Sequence, residues 1–141
     1  MKLVILLASL AGLSIALQAT MNASAGRTLG LPVLIAFSGF ATGLGGLGFA
    51  LLASSKPEFS VRAVAFGIGS GLLGCVILAC VTYAVGQGGV ARALSLVIAA
   101  QLIAGLVLDR LGVFGDGVAL SPVKVLGVVL IIVGGVLVVR F

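Results

Sequence analysis

"VIAAQLIAGLVLDRLGVFG" occupies residues 97–115. Up to Leu108 it is apolar or small at every position except Gln101; the run then ends on Asp109 and Arg110. Arg92 lies nine residues before Gln101, and Arg110 nine after it. Nine helical residues rise about 13.5 Å, against about 15 Å for half the hydrocarbon thickness of a bilayer. With the two arginines at the two interfaces, Gln101 falls close to the midplane. The stretch reads as a membrane-spanning helix that carries an amide at its centre.

The rest of the chain follows the same pattern. Of its 141 residues 62% are hydrophobic, above the roughly one half of soluble domains. Five apolar stretches reach spanning length, at about 3–21, 31–53, 61–85, 90–108 and 122–139. Between them lie "NASAGRTLG" at 22–30, "SSKPEFS" at 54–60, the glycine turn "GQGG" at 86–89 and the glycine-broken "LGVFGDGVAL" at 111–120. Ser121-Pro122 has the form of a helix start, with Ser as N-cap and Pro in the first helical position. None of these connections can hold a soluble domain. No segment alternates with the period of two that a membrane barrel requires. The expected architecture is an all-α integral membrane protein, a single domain over 1–141 built as a bundle of five transmembrane helices.

Charge and composition narrow the function. Eight Lys or Arg and three acids leave a net charge of +5. The basic residues stand singly between apolar runs, where charges flank membrane spans, and form no nucleic-acid patch. There is no His, and three acids are too few for a protein-built zinc or calcium site, so no metal and no cofactor is expected. No Ser–His–Asp set, Cys–His pair, carboxylate pair or phosphate loop can be assembled, which argues against an enzyme. Cys75 and Cys80 are five apart, a spacing that does not bring them together on a helix, and they read as small apolar packing residues.

The first 27 residues also resemble a secretory signal, with Lys2, an apolar core and Ala-Ser-Ala at 23–25. The core is long enough to span by itself, so retention as the first helix is favoured over cleavage after Ala25.

Polar and small residues inside the spans supply the candidate site. Ser14, Gln18 and Asn22 recur at i, i+4 and i+8 and share one face of the first helix. Gln101, Gly105 and Asp109 do the same in the fourth. A midplane Gln is placed where transporters bind substrate, but it also suits a hydrogen bond to a facing helix, worth about 1 kcal/mol. Both readings stand for Gln101. Asp109 lies at a helix C-terminus, where a carboxylate opposes the helix dipole. A structural charge pair with Arg110 is favoured for it over ion binding. Gly39 and Gly43 form one GxxxG step and Gly67 and Gly71 another, extended by Ser70 and Gly74; helix packing is the expected role of these glycines.

These residues carry a resemblance. Gln18 followed by Asn22, Phe40 with Gly43, Ala100-Gln101, Asp109, Gly112 and Phe114-Gly115, and the glycine-spaced last span with Gly127 and Gly134, resemble the small five-helix YdcZ-like family of the drug/metabolite transporter (DMT) superfamily. The likeness covers nearly the whole length. The chain departs from the family's pattern in lacking Trp, in having Ser70-Gly71 where the third span usually carries a Gly-Gly pair, and in having Ala100 before Gln101. The resemblance implies a multi-pass protein of the bacterial inner (plasma) membrane that exports small metabolites or drugs. A non-transporting membrane scaffold or regulatory subunit is the alternative. The superfamily's proton-coupled small multidrug members depend on an acidic residue deep in the first span. Here that span has only Gln18, so a neutral or polar metabolite fits better than a cation.

Larger members of the superfamily have ten spans, made of two five-span halves in opposite orientation with the site between them. The resemblance therefore implies half of a ten-helix transporter. With the N-terminus cytoplasmic, Lys2, Lys56, Arg62, Arg110 and Lys124 lie inside and Arg27, Arg92 and Arg140 outside, a weak bias. Such a chain is expected to pair antiparallel, with a second copy or with a sister five-helix protein. Its other partners would be membrane lipid and a small-molecule substrate.

Overall fold

The computed structural model describes residues 1–53, 57, 59–112 and 121–141. These form five α-helices: α1 (Lys2–Leu29), α2 (Leu31–Leu52), α3 (Val61–Gly88), α4 (Val90–Leu111) and α5 (Pro122–Arg140). All five are long and apolar enough to cross a membrane. Helices are what such sequences must form in lipid, since a helix satisfies its backbone N–H and C=O groups within the segment. The signature residues Phe114 and Gly115 lie outside the described residues.

The joins are shorter than the sequence implies. Residues 22–30 read as a connection, yet α1 runs on to Leu29 and Gly30 alone turns the chain into α2. Its φ of 77° and ψ of 155° are open only to glycine. Gly30 donates its N–H to the Gly26 carbonyl at 3.0 Å, and its own carbonyl accepts from Leu34 N–H at 3.1 Å. One residue thus closes one helix and opens the next. The same device joins α3 to α4. There α3 continues to Gly88, and Gly89, at φ 81°, donates to the Val85 carbonyl and accepts from the Ala93 N–H. A one-residue reversal leaves no separate loop, and the glycine itself pairs with the last turn of one helix and the first turn of the next. That explains why residues 22–29 stay helical despite their small, polar character.

Caps mark two other helix starts. Ser60 Oγ accepts from the Ala63 N–H at 3.1 Å ahead of α3. Ser121 Oγ accepts from the Lys124 N–H at 3.2 Å, with Pro122 first in α5, as the sequence suggests. Gly112, in the left-handed conformation, ends α4 just after Asp109 and Arg110.

Two compact units emerge, Met1–Tyr83 and Ala84–Phe141. In the first, α1 packs on α2 through Ala19, Asn22 and Ala23 against the side bearing Leu34, all buried. In the second, α4 packs on α5, with Gly135 so close to Ser95 that a Cβ at 135 would lie 3.5 Å from the Ser95 carbonyl oxygen. Small side chains at both seams let the backbones approach, which is how helices gain packing energy in lipid. Most large apolar side chains, such as Phe37, Phe40, Leu72 and Leu130, point outward.

Candidate functional site

In the first unit residues of three helices border an open cleft of about 640 Å³. Gln18 enters it from α1, Ser38 and Thr42 from α2, and Ser70 and Cys75 from α3. Gln18 lies nine residues before Arg27, about 13.5 Å along the helix axis. With Arg27 at an interface, its amide falls well inside the hydrocarbon. Thr42 donates its hydroxyl proton to the Ser38 carbonyl at 2.8 Å. Only its lone pairs remain to face the cleft.

Glycines form much of the wall. Gly39, Gly43, Gly67 and Gly71 line the cleft together with Gly74. The sequence suggests helix packing for the first four. Within this chain, a Cβ added at any of them would meet nothing within 4 Å. Their missing side chains widen the cleft and bring no neighbouring helix closer. Ser38 and Thr42 escape notice in the sequence, although they sit one turn apart and each is followed directly by a wall glycine.

The polar face of α1 divides with position along the helix. Ser14 is exposed and donates its hydroxyl to the Leu10 carbonyl at 2.8 Å. Gln18 lines the cleft. Asn22 is only 8% exposed and belongs to the packed side of α1. One turn further, Gly26 meets Thr82, whose methyl would stand 3.2 Å from a Cβ at 26. Thr82 is 5% exposed, and its hydroxyl has no hydrogen-bond partner among the described residues.

In the second unit the seam of α4 on α5 passes through Ser95 and, at helical spacing, Ala99, Leu102 and Leu106, all half-buried. Gln101 is six residues from Ser95, which turns it about 120° away from that stripe. It is exposed, and α5 does not hold it. Gly105, one turn on, is half-buried. Asp109 and Arg110 follow in the last turn, both exposed. As direct neighbours on a helix they diverge by about 100°, and the described residues contain no ion pair between them.

The chemistry available at both places is hydrogen bonding by amides and hydroxyls at membrane depth. Cys75 and Cys80 are both free thiols.

No curated protein and no solved structure matches the chain. Residues 3–137 match the family described as "Putative inner membrane exporter, YdcZ". The match takes in all the helices that carry the polar residues above, α1 included, and so the chain belongs to the YdcZ family of multi-pass inner-membrane proteins.

Proposed function

We propose that this protein exports a small molecule across the inner membrane, and that it does so as a pair of chains in antiparallel orientation within the DMT architecture. The observation that carries the reading is a cleft among apolar helices of spanning length, lined by Gln18, Ser38, Thr42 and Ser70. A buried or lipid-facing amide without a partner costs several kcal/mol. Clustered polar side chains in oil are therefore kept for a solute or a facing helix.

Gln101 supports the pairing. It is exposed and turned away from α5, and its spacing from Arg92 and Arg110 puts it near the midplane of a span. A second chain inserted the other way round would bring polar groups toward it and complete a site of which one chain holds half.

Liposomes with and without the protein, compared for untargeted metabolite uptake, identify the cargo. Gln101→Ala and Gln101→Leu then test the site. Both variants are expected to express and assemble but to lose flux. If both fall apart in detergent while the surviving assembly transports normally, Gln101 is a helix lock and the scaffold reading gains. Gln18→Leu, made in parallel, is expected to lose flux while remaining assembled.

A further inference from the structure

We infer that the α1–α2–α3 cleft takes an uncharged, hydroxyl-bearing solute of the polyol class. The inference rests on the transporter reading and adds the substrate chemistry to it.

The first ground is electrostatic. Among the described residues, the lining contains no Lys, Arg, Asp or Glu. The charges nearest in sequence stand at helix ends. Arg27 is in the last turn of α1, and Arg62 opens α3, lying 5.4 Å from the centre of the Phe66 ring. An ion brought from water to membrane depth without a counter-charge carries a large desolvation penalty. Nothing among the residues that line this cleft offsets one of either sign.

The second ground is the pattern of donors and acceptors. Thr42, its proton committed to the Ser38 carbonyl, can only accept. From the solute it can take an O–H or N–H, and it offers no proton in return. Gln18 offers both an N–H₂ and a carbonyl, and the hydroxyls of Ser38 and Ser70 can serve either way. A chain of hydroxyls, each both donor and acceptor, satisfies every one of these groups.

The third ground is shape. No aromatic side chain of the described residues lines the cleft, so planar aromatic compounds have no ring to stack on. Glycines at 39, 43, 67, 71 and 74 expose backbone in the walls, and Ile35, Ile77 and Leu78 add apolar surface for the solute's carbon chain. A slender, flexible solute can lie along them with its hydroxyls toward the polar residues.

Cys75 reports on the cleft because it lines it, while Cys80, five residues on, does not. The full chain with Cys80→Ser is placed in nanodiscs, whose two faces are open to reagent. It is treated with three methanethiosulfonates that differ only in a hydroxyethyl, trimethylammonium or sulfonate tail. Each rate is divided by the same reagent's rate with a free thiol in water. The hydroxyethyl reagent is expected to modify Cys75 about tenfold faster than either charged one, a difference of about 1.4 kcal/mol. Xylitol is expected to slow that modification, choline is not, and Gln18→Leu is expected to abolish the xylitol effect. A charged reagent that equals or outpaces the neutral one overturns the inference, as does a failure of xylitol to protect. Cys75 that resists all three reagents shows the cleft closed by a second helix, and overturns it too. Flux lost in Gln18→Leu together with charge-indifferent labelling would leave the transporter reading standing and remove only the substrate class.

Discussion

Thr82 on α3 presents its methyl to Gly26 on α1 so closely that a Cβ at residue 26 would stand 3.2 Å from it, and 3.4 Å from Leu34 Cδ2 on α2. Three helices meet at this one glycine. Gly26→Ala forces neighbours to shift by a few tenths of an ångström, and Gly26→Leu is expected to destabilise by about 1–3 kcal/mol through overpacking. Thermal unfolding in detergent measures both. Because the clash is with a methyl, Thr82→Ala should recover part of the loss in Gly26→Ala, a coupling that a double-mutant cycle reads directly.

The single-residue joins make a sharper backbone prediction. Gly30 and Gly89 hold φ of 77° and 81°, a region that L side chains rarely occupy. Gly30→Ala and Gly89→Ala are each expected to destabilise by about 1–3 kcal/mol. Gly12→Ala serves as the control: residue 12 lies within α1 with nothing near its added Cβ, and alanine there should be neutral or stabilising by up to about 1 kcal/mol. Equal melting of all three variants would contradict the strained-turn account.

The wall glycines separate a cleft from a packing seam. Gly39→Leu and Gly71→Leu meet no atom within 4 Å at the first carbon, so each chain is expected to fold and assemble. Each should nonetheless lose at least about tenfold in flux, because the side chain fills the cleft. Loss of assembly with either variant would instead mark these glycines as contacts to a second chain.

Asp109 stands in the last turn of α4, where the helix dipole opposes its charge while Arg110 beside it favours that charge. The two effects run against each other. Asp109→Asn should therefore shift the thermal midpoint by less than about 5 °C and leave the pH profile of transport unchanged. A displaced profile would place Asp109 in the transport mechanism.

Orientation tests the pairing. A cysteine added at each terminus, in a chain with Cys75 and Cys80 replaced, is expected to label from both sides of intact cells when one gene product pairs with itself. Crosslinking should then join copies head to tail. Labelling from one side only, with no sister protein required for flux, would falsify the antiparallel arrangement.

The number, order and helical state of the elements follow from the sequence, because a polar backbone in lipid must pair internally and spans without a period of two do so as helices. Ser121 and Pro122 were legible for the same local reason, since a cap depends on its own few residues. The YdcZ membership was legible too, carried by Gln18, Asn22, Gln101 and Asp109. The length of α1 was not. Residues 22–29 look like a loop by composition, and only the one-residue reversal at Gly30, which keeps the backbone near the turn paired, shows why they remain helical. Tertiary structure alone also sorted the small and polar residues. Spacing places Ser14, Gln18 and Asn22 on one face, but neighbouring helices decide that Gln18 meets a cleft while Asn22 is buried. Gly39 and Gly71 satisfy a packing motif, yet within this chain both border the open space of the cleft. A periodic sequence specifies which residues share a side of a helix; what that side faces is set by how helices far apart in the chain come to lie together.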